Sequence, residues 1–359
     1  MKNYSFQIDL LRAIAVSLVV FFHFNMYTSI IPFWNNLILS GGSLGVNIFF
    51  VISGLLISKP FVEKRLLNKT LPNIKIYIIN RLFRIIPLFW VTSIMFFLCK
   101  DYIWLYNQSP YPITLFDSAK FLFFFYGKNG ILNVPVWTLR FEILFYIFFP
   151  IFFWATLKLN ISLFKHIVNI TICLVGFFLF YRIWYLQQFN STFYYDFFSN
   201  SEAFFLGIIL SFLYTNEKLK AQFNIKFPIL APLLFLFIIL KFNNVPFLNT
   251  KYTIAVVQTL SNISIFFLFI GILNANLSYA KKFFNKSISY ISLISYSIYL
   301  LHFNIYYNLV IPLNKILFNN SVNKIFLGIA AIVITIILST ITYFLIEKPA
   351  LQLKSKFIS

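Results

Sequence analysis

Three residues whose side chains could do chemistry interrupt the first apolar stretch of the chain, IDLLRAIAVSLVVFFHF: Asp9, Arg12 and His23. Charged groups within an apolar span are costly and often mark a functional site. On a helix, Arg12 and His23 share one face, roughly 16 Å apart along the axis, and Asp9 is placed to pair with Arg12. Arg12 could instead extend to lipid headgroups, and His23 could make an interhelical hydrogen bond. The shared face favours a polar track through the membrane.

A carboxylate and a second histidine interrupt two later apolar stretches. Glu142 lies in VWTLRFEILFYIFFP, two residues after Arg140. A buried carboxylate could serve as half of an acid–base pair with a histidine, or it could form a structural ion pair with Arg140 or His23. His302 lies in YSIYLLHFNIY, one turn after Tyr299.

Two further stretches combine polar residues with signs of close packing or anion binding. Arg81 and Arg84 lie one turn apart in INRLFRIIPLFW. The bias of basic residues towards cytoplasmic loops could explain both arginines, or their guanidinium groups could bind phosphates in a bidentate manner. Ser53 and the amide Asn47 lie in GGSLGVNIFFVISGLLIS, whose glycines could serve helix packing.

The chain that carries these residues is too apolar for a soluble protein. Its 359 residues are 60% hydrophobic and 11% charged, with a mean hydropathy of +0.84. We therefore expect an all-α polytopic membrane protein, with residues 1–359 forming one domain. The net charge of +20 is expected to reflect cytoplasmic loops rather than a nucleic-acid partner. Cys99 and Cys173 lie in separate apolar runs and indicate neither a disulfide framework nor a metal site.

Windows of about 20 apolar residues predict ten transmembrane helices. Their ranges are 8–27, 43–58, 82–99, 134–156, 164–187, 200–215, 227–241, 252–274, 289–311 and 324–346. Residues 119–126 are expected to form a re-entrant or interfacial piece. The first span is expected to remain as an uncleaved signal anchor, because no separate cleavage pattern precedes it.

The distribution of basic residues predicts the orientation of these spans. With both termini cytoplasmic, 19 of the 29 Lys and Arg residues, among them Lys281, fall in inside segments. Eight others, among them Arg182 and Lys324, fall in outside segments or outer span ends. This asymmetry follows the positive-inside rule. The orientation places His23 and Glu142 at similar depths from the outer face, where a carboxylate and an imidazole could form an acid–base pair.

Six stretches, in order and over nearly the whole chain, resemble the integral-membrane acyltransferases of acyltransferase family three. They are Arg12 and His23 with ten residues between them, GVNIFFVISGLLIS, the Arg81 and Arg84 pair before Pro87, VWTLRFEILFYIFFP around Glu142, YSIYLLH ending at His302, and IEKP at 346–349. The chain departs from the family pattern at Asn47, where aspartate is usual, and at Arg140, where a small or neutral residue is usual. For that reason we assign Asn47 no catalytic role.

The resemblance implies an O-acyltransferase of the bacterial inner (cytoplasmic) membrane. Its donor would be cytoplasmic acyl-coenzyme A, most often acetyl-coenzyme A, used as a co-substrate without a permanently bound cofactor. Its acceptor would be a hydroxyl of a cell-surface polysaccharide, a lipopolysaccharide or a lipid-linked glycan precursor. His23 would be catalytic, and Arg12, Arg81 and Arg84 would bind the donor. Our remaining candidates are Glu142, to orient the imidazole, and a set of donor- or substrate-binding residues: Asp9, Ser53, Tyr299 and His302.

Two other functions compete with acyl transfer. A transporter or flippase of a glycan or small anionic solute could use the polar face of the first helix as a path, but internal repeats and paired broken helices, which are common in transporters, are not evident. A glycan polymerase or ligase would generally need a large outside loop, whereas the longest predicted one spans only residues 100–133.

Overall fold

Helices account for nearly all of the chain that the structure, a computed structural model, describes, and that part contains no β-strand. The described residues are 5–28, 32–68, 72–98, 120–124, 134–158, 167–189, 196–215, 251–319 and 322–358. A helix pairs every backbone amide and carbonyl group within one segment, so long apolar runs adopt it in the absence of water.

Thirteen α-helices are numbered here in chain order within the described residues. They are α1 Ser5–Thr28, α2 Pro32–Asn68, α3 Ile74–Leu98, α4 Trp137–Lys158, α5 Ile167–Phe189, α6 Phe197–Thr215, α7 Lys251–Asn274, α8 Ser278–Leu293, α9 Ser295–Asn304, α10 Ile311–Phe318, α11 Lys324–Thr342, α12 Lys348–Leu353 and α13 Ser355–Ile358. A 3₁₀ turn, Val134–Val136, leads into α4, and π-helical turns at Ile305–Val310 and Tyr343–Glu347 join α9 to α10 and α11 to α12.

Eight helical segments within the described ranges are long and apolar enough to cross a membrane, and a ninth passes only as the pair Ser278–Leu293 with Ser295–Phe318. These segments confirm a multi-pass helical membrane protein. Nine of the ten predicted spans correspond to them, and the remaining one, 227–241, lies outside the described residues. Of the predicted re-entrant piece, residues 120–124 are described, and the indole of Trp90 donates a hydrogen bond to the carbonyl of Leu122.

Two predicted span boundaries need correction. The third helix begins at Ile74 rather than at residue 82, so that Arg81 as well as Arg84 lies inside it. The ninth span, predicted as one helix over 289–311, is broken at Ile294. The residues before the break, SYAKKFFNKSISYISL, are rich in serine and lysine, and they form the separate helix α8.

The chain divides into two compact units, of which the first comprises residues 1–15, 39–72 and 144–292. Within this unit, glycines allow α2 and α6 to pack backbone against backbone. A Cβ atom added at Gly54 would overlap the carbonyl oxygen of Phe204, and one added at Gly207 would overlap that of Val51. Such small-residue crossings are typical of membrane helices. Ser58 adds a 2.7 Å hydrogen bond to Ser211 across the same pair of helices.

The second unit comprises residues 16–38, 73–143 and 293–359. Its apolar core joins the end of α1 to α9 and α11 through buried residues such as Phe24, Leu301 and Ala331. The ring of Phe24 lies directly over Gly328, where a Cβ atom would overlap it. Tyr296 donates a hydrogen bond of 2.8 Å to the carbonyl of Ile85, which ties α9 to α3.

Candidate active site

Two histidines from distant parts of the sequence meet in the second unit. His23, near the end of α1, is half-buried, and His302, on α9, is only 3% exposed. The Nε2 atom of His302 lies 3.2 Å from the Nδ1 atom of His23. The ring of Phe303 packs edge-on against His23, with ring centroids 5.3 Å apart. The pair therefore combines direct imidazole contact with an aromatic surround.

The hydrogen bonds around the pair determine which nitrogens carry protons. The Nδ1 atom of His302 lies 2.9 Å from the carbonyl oxygen of Tyr299 and 3.1 Å from that of Ile298. A carbonyl oxygen only accepts, so this Nδ1 carries the hydrogen, and in the neutral pair Nε2 presents its lone pair to His23. The Nδ1 of His23 then donates, both there and to the carbonyl of Val19 at 3.0 Å. The lone pair of His23 is left on Nε2.

Tyr299 connects this histidine pair to the start of α4. Its hydroxyl donates to the carbonyl oxygen of Pro135 at 3.0 Å and lies 2.8 Å from the hydroxyl oxygen of Thr138. Glu142, one turn after Thr138, lies close enough for its charge to act on the phenol of Tyr299. The pairing of Glu142 with His23 that the sequence suggests stays a prediction.

The two arginines of α3 lie in the second unit with a carboxylate near one of them. The guanidinium of Arg81 lies 5.8 Å from the centroid of the Tyr77 ring. Arg84 lies close enough to Glu347, in the IEKP motif, for the two charges to interact. Glu347 is buried and accepts a hydrogen bond from the hydroxyl of Ser297. This link between α9 and the π-helical turn after α11 was not predicted from the sequence.

The remaining predicted site residues lie in the first unit. The carboxylate of Asp9 accepts hydrogen bonds from Ser292 at 2.7 Å and from Ser289 at 3.1 Å, both on α8. Arg12 is half-buried one turn further along α1, and Ser53 lies on α2 beside Gly54. Asn47 is 2% exposed, and its side-chain nitrogen has no hydrogen-bond partner among the described residues. Contacts of Asp9, Arg12 and Ser53 with a donor stay predictions.

One buried polar cluster was not predicted. Arg182 was assigned to an outer span end, but it is fully buried and joins α5 to α6 and α7. Its guanidinium donates to Glu202 at 2.7 Å, to the hydroxyl of Thr259 at 2.6 Å and to the carbonyl of Ser199 at 2.8 Å. Asn262 also donates to Glu202, at 2.6 Å. The sequence does contain a signal for this cluster, namely the single charges of Arg182 and Glu202 within the apolar runs YRIWY and NSEAFF.

These observations define a multi-pass helical membrane protein in which two histidines are in contact and a tyrosine hydroxyl lies one helical turn before one of them. Residues 6–344 match the family model described as "Acyltransferase domain". The chain therefore belongs to this acyltransferase family, as the six sequence stretches indicated, and carries its domain over nearly its whole length.

Relatives of known name point the same way. A Staphylococcus aureus (strain COL) protein, named provisionally as an O-acetyltransferase, is 28% identical over 367 residues, which cover 95% of this chain and 56% of that protein. The O-acetyltransferase OatA of S. aureus (strain NCTC 8325) is 26% identical over 368 residues, with the same coverage. The chain thus spans about half the length of the curated relatives it matches. No solved structure gives a significant match.

Proposed function

We propose that this protein is a membrane O-acyltransferase of the bacterial inner membrane. It transfers an acyl group, most often acetyl, from cytoplasmic acyl-coenzyme A to a hydroxyl of a cell-surface polysaccharide, a lipopolysaccharide or a lipid-linked glycan precursor. The observation that carries the proposal is the contact between His23 and His302 in a chain of the acyltransferase family. The names of the O-acetyltransferase relatives support the choice of an acetyl group and an oxygen acceptor.

The proposed chemistry begins with the acceptor hydroxyl, which is a weak nucleophile until its proton is removed. The Nε2 atom of His23 takes that proton while the hydroxyl oxygen bonds to the thioester carbon. The carbon–sulfur bond then breaks, and the imidazolium returns the proton to the leaving thiolate of coenzyme A. In this scheme His302 is a positioning residue, because it holds Nδ1 of His23 and keeps the lone pair on Nε2.

Further charged and polar residues predicted from the sequence complete the proposal. Arg12, Arg81 and Arg84 bind the phosphates of the donor, since guanidinium groups match phosphate oxygens in charge and geometry. Asp9, Ser53 and Tyr299 are the remaining donor- or substrate-binding residues. Glu142 stabilises the imidazolium that forms on His23, at a distance and through its charge.

The test replaces one histidine at a time in cells that lack the native gene. His23→Ala should lower acetylation of the cell-surface glycan by on the order of 10²-fold or more, because general-base catalysis contributes at least that factor. Mass spectrometry of the glycan measures the acetyl content, and immunoblotting of membranes confirms insertion. His166→Ala, at a histidine without a proposed role, is the control. Full acetylation by His23→Ala would exclude the mechanism.

The donor site has a separate test that needs no acceptor. Purified protein should bind coenzyme A, and the double variant Arg81→Gln/Arg84→Gln should bind it about 10-fold or more weakly, since charge-assisted hydrogen bonds contribute on the order of 1.5–3 kcal/mol. Isothermal titration calorimetry measures both affinities. Lys315→Gln/Lys324→Gln removes two exposed basic residues elsewhere and should leave the affinity unchanged. Equal binding by all three proteins would remove the arginines from the donor site.

A further inference from the structure

Helix α8 carries an outward-facing stripe that acyl transfer does not explain. Its sequence, SYAKKFFNKSISYISL, contains three lysines and no acidic residue. Because successive residues of a helix are 100° apart, Tyr279, Phe283, Lys286 and Tyr290 align on one face, and Lys282 lies beside them. We call this the aromatic–lysine stripe: Tyr279, Lys282, Phe283, Lys286 and Tyr290.

The rings of this stripe are exposed although they are large and apolar. Tyr279 is 81% exposed and Phe283 is 72% exposed, and both lysines are exposed beside them. The ammonium of Lys282 lies 5.9 Å from the centroid of the Phe283 ring. In a water-soluble amphipathic helix, by contrast, the aromatic face packs against the protein.

The end of α8 contacts the protein through two serines instead. Ser289 is partly buried and Ser292 is buried, and each donates a hydrogen bond to the carboxylate of Asp9 on α1. The helix is thus attached through its serines and presents its rings and lysines outward. This arrangement is the one expected at a membrane–water interface, where aromatic rings embed at headgroup level and lysines meet lipid phosphates.

We propose that the aromatic–lysine stripe binds the headgroups of anionic phospholipids, with α8 lying at the membrane surface. Charge complementarity supports this ligand, because α8 has lysines and no acidic residue to neutralise them. The exposed rings favour a lipid over a soluble phosphate compound, which would leave the rings in water. Since the serines of α8 hold Asp9, and Asp9 lies on the helix that carries His23, lipid binding would help to fix the beginning of that helix.

Electron paramagnetic resonance of spin-labelled lipids tests this directly on the full chain. The protein is reconstituted in phosphatidylcholine at low salt, and the motionally restricted fraction is compared between spin-labelled phosphatidylglycerol and spin-labelled phosphatidylcholine. Wild-type protein should prefer phosphatidylglycerol. The exposed-surface variant Lys282→Gln/Lys286→Gln should lower that preference by roughly fivefold or more, since each lysine near an anionic surface contributes on the order of fivefold in affinity.

A matched control and two contrary results make the test decisive. Lys315→Gln/Lys324→Gln also removes two exposed lysines and should retain most of the preference. Equal lipid preference in wild type and Lys282→Gln/Lys286→Gln would overturn the proposal. Loss of coenzyme A binding in that variant with unchanged lipid preference would also overturn it, because the lysines would then serve a soluble phosphate ligand.

Discussion

A histidine that acts as a base needs a partner for its second nitrogen, and His302 provides one without a charge. In a Ser-His-Asp triad the partner is a carboxylate, which orients the imidazole and also stabilises its protonated form. The imidazole of His302 offers the first of these effects through Nε2. A carboxylate directly at that buried position would be costly in a membrane protein. The proposed mechanism therefore separates the two effects, with orientation from His302 and charge from Glu142.

This separation predicts different results for two substitutions of His302. His302→Gln keeps an acceptor near Nδ1 of His23, whereas His302→Leu removes it. We expect His302→Leu to lower kcat by on the order of 10-fold or more with little change in the KM for acetyl-coenzyme A, because orientation acts on the chemical step. His302→Gln should recover part of kcat. Steady-state kinetics in proteoliposomes measure both constants. An equal loss in both variants, or a change confined to KM, would contradict the positioning role.

The residues of the histidine pair could be found from the sequence, but their pairing could not. A histidine within an apolar run is conspicuous because polar groups there are costly, and this singled out His23 and His302. The sequence separates them by 279 positions, and helical periodicity says nothing about which helices are neighbours. The sequence accordingly predicts that His302 binds the donor or substrate, and it does not predict the contact with His23.

At the scale of helices, the close crossing of α2 with α6 depends on the lack of a Cβ atom at Gly54 and Gly207. Gly54→Ala should lower the free energy of unfolding by about 1–3 kcal/mol, because the added methyl group would overlap the backbone of Phe204 and force the helices apart. Gly176→Ala is the matched control, since nothing lies within 4 Å of a Cβ atom there. The apparent melting temperature in detergent should fall for the first variant and not for the second. Equal melting temperatures would contradict the close crossing.

The ion pair between α5 and α6 leads to a second prediction at this scale. Glu202→Leu leaves the buried charge of Arg182 without its carboxylate, which should cost about 3–5 kcal/mol. The double variant Arg182→Met/Glu202→Leu removes both charges and should be more stable than Glu202→Leu alone. Thermal unfolding in detergent measures the order of the two variants. Additive losses from the two substitutions would show that the charges do not depend on each other.

A surface ion pair on α2 provides the comparison for that experiment. The Nζ atom of Lys59 lies 3.7 Å from the Oε1 atom of Glu63, and both side chains are partly exposed. Glu63→Gln should therefore lower the free energy of unfolding by at most about 1 kcal/mol. The same contrast explains why Arg182 was misplaced from the sequence. A basic residue near the end of an apolar run is usually at the membrane surface, and only the packing of three helices reveals that this one is buried.

For the whole molecule, composition was sufficient to predict the fold class, whereas the arrangement of the helices was not. Apolar length alone identifies spans, because a helix of about 20 residues is needed to cross the bilayer. Apolar length does not identify a break such as the one at Ile294, where a serine- and lysine-rich segment is followed within a few residues by an apolar one. Apolar length also does not show which residues belong to the same compact unit, because α1 and α4 each contribute residues to both units.

The orientation of the whole chain follows from a charge asymmetry and can be tested at two matched lysines. Lys281, on α8, is predicted to face the cytoplasm, and Lys324, at the start of α11, to face outward, because basic residues favour the inside. In a background with Cys99→Ser and Cys173→Ser, a membrane-impermeant maleimide added to intact spheroplasts should label Lys324→Cys and not Lys281→Cys. After lysis both should react, which confirms that each thiol is accessible. Labelling of Lys281→Cys alone before lysis would invert the topology and place α8, with its aromatic–lysine stripe, on the outer surface.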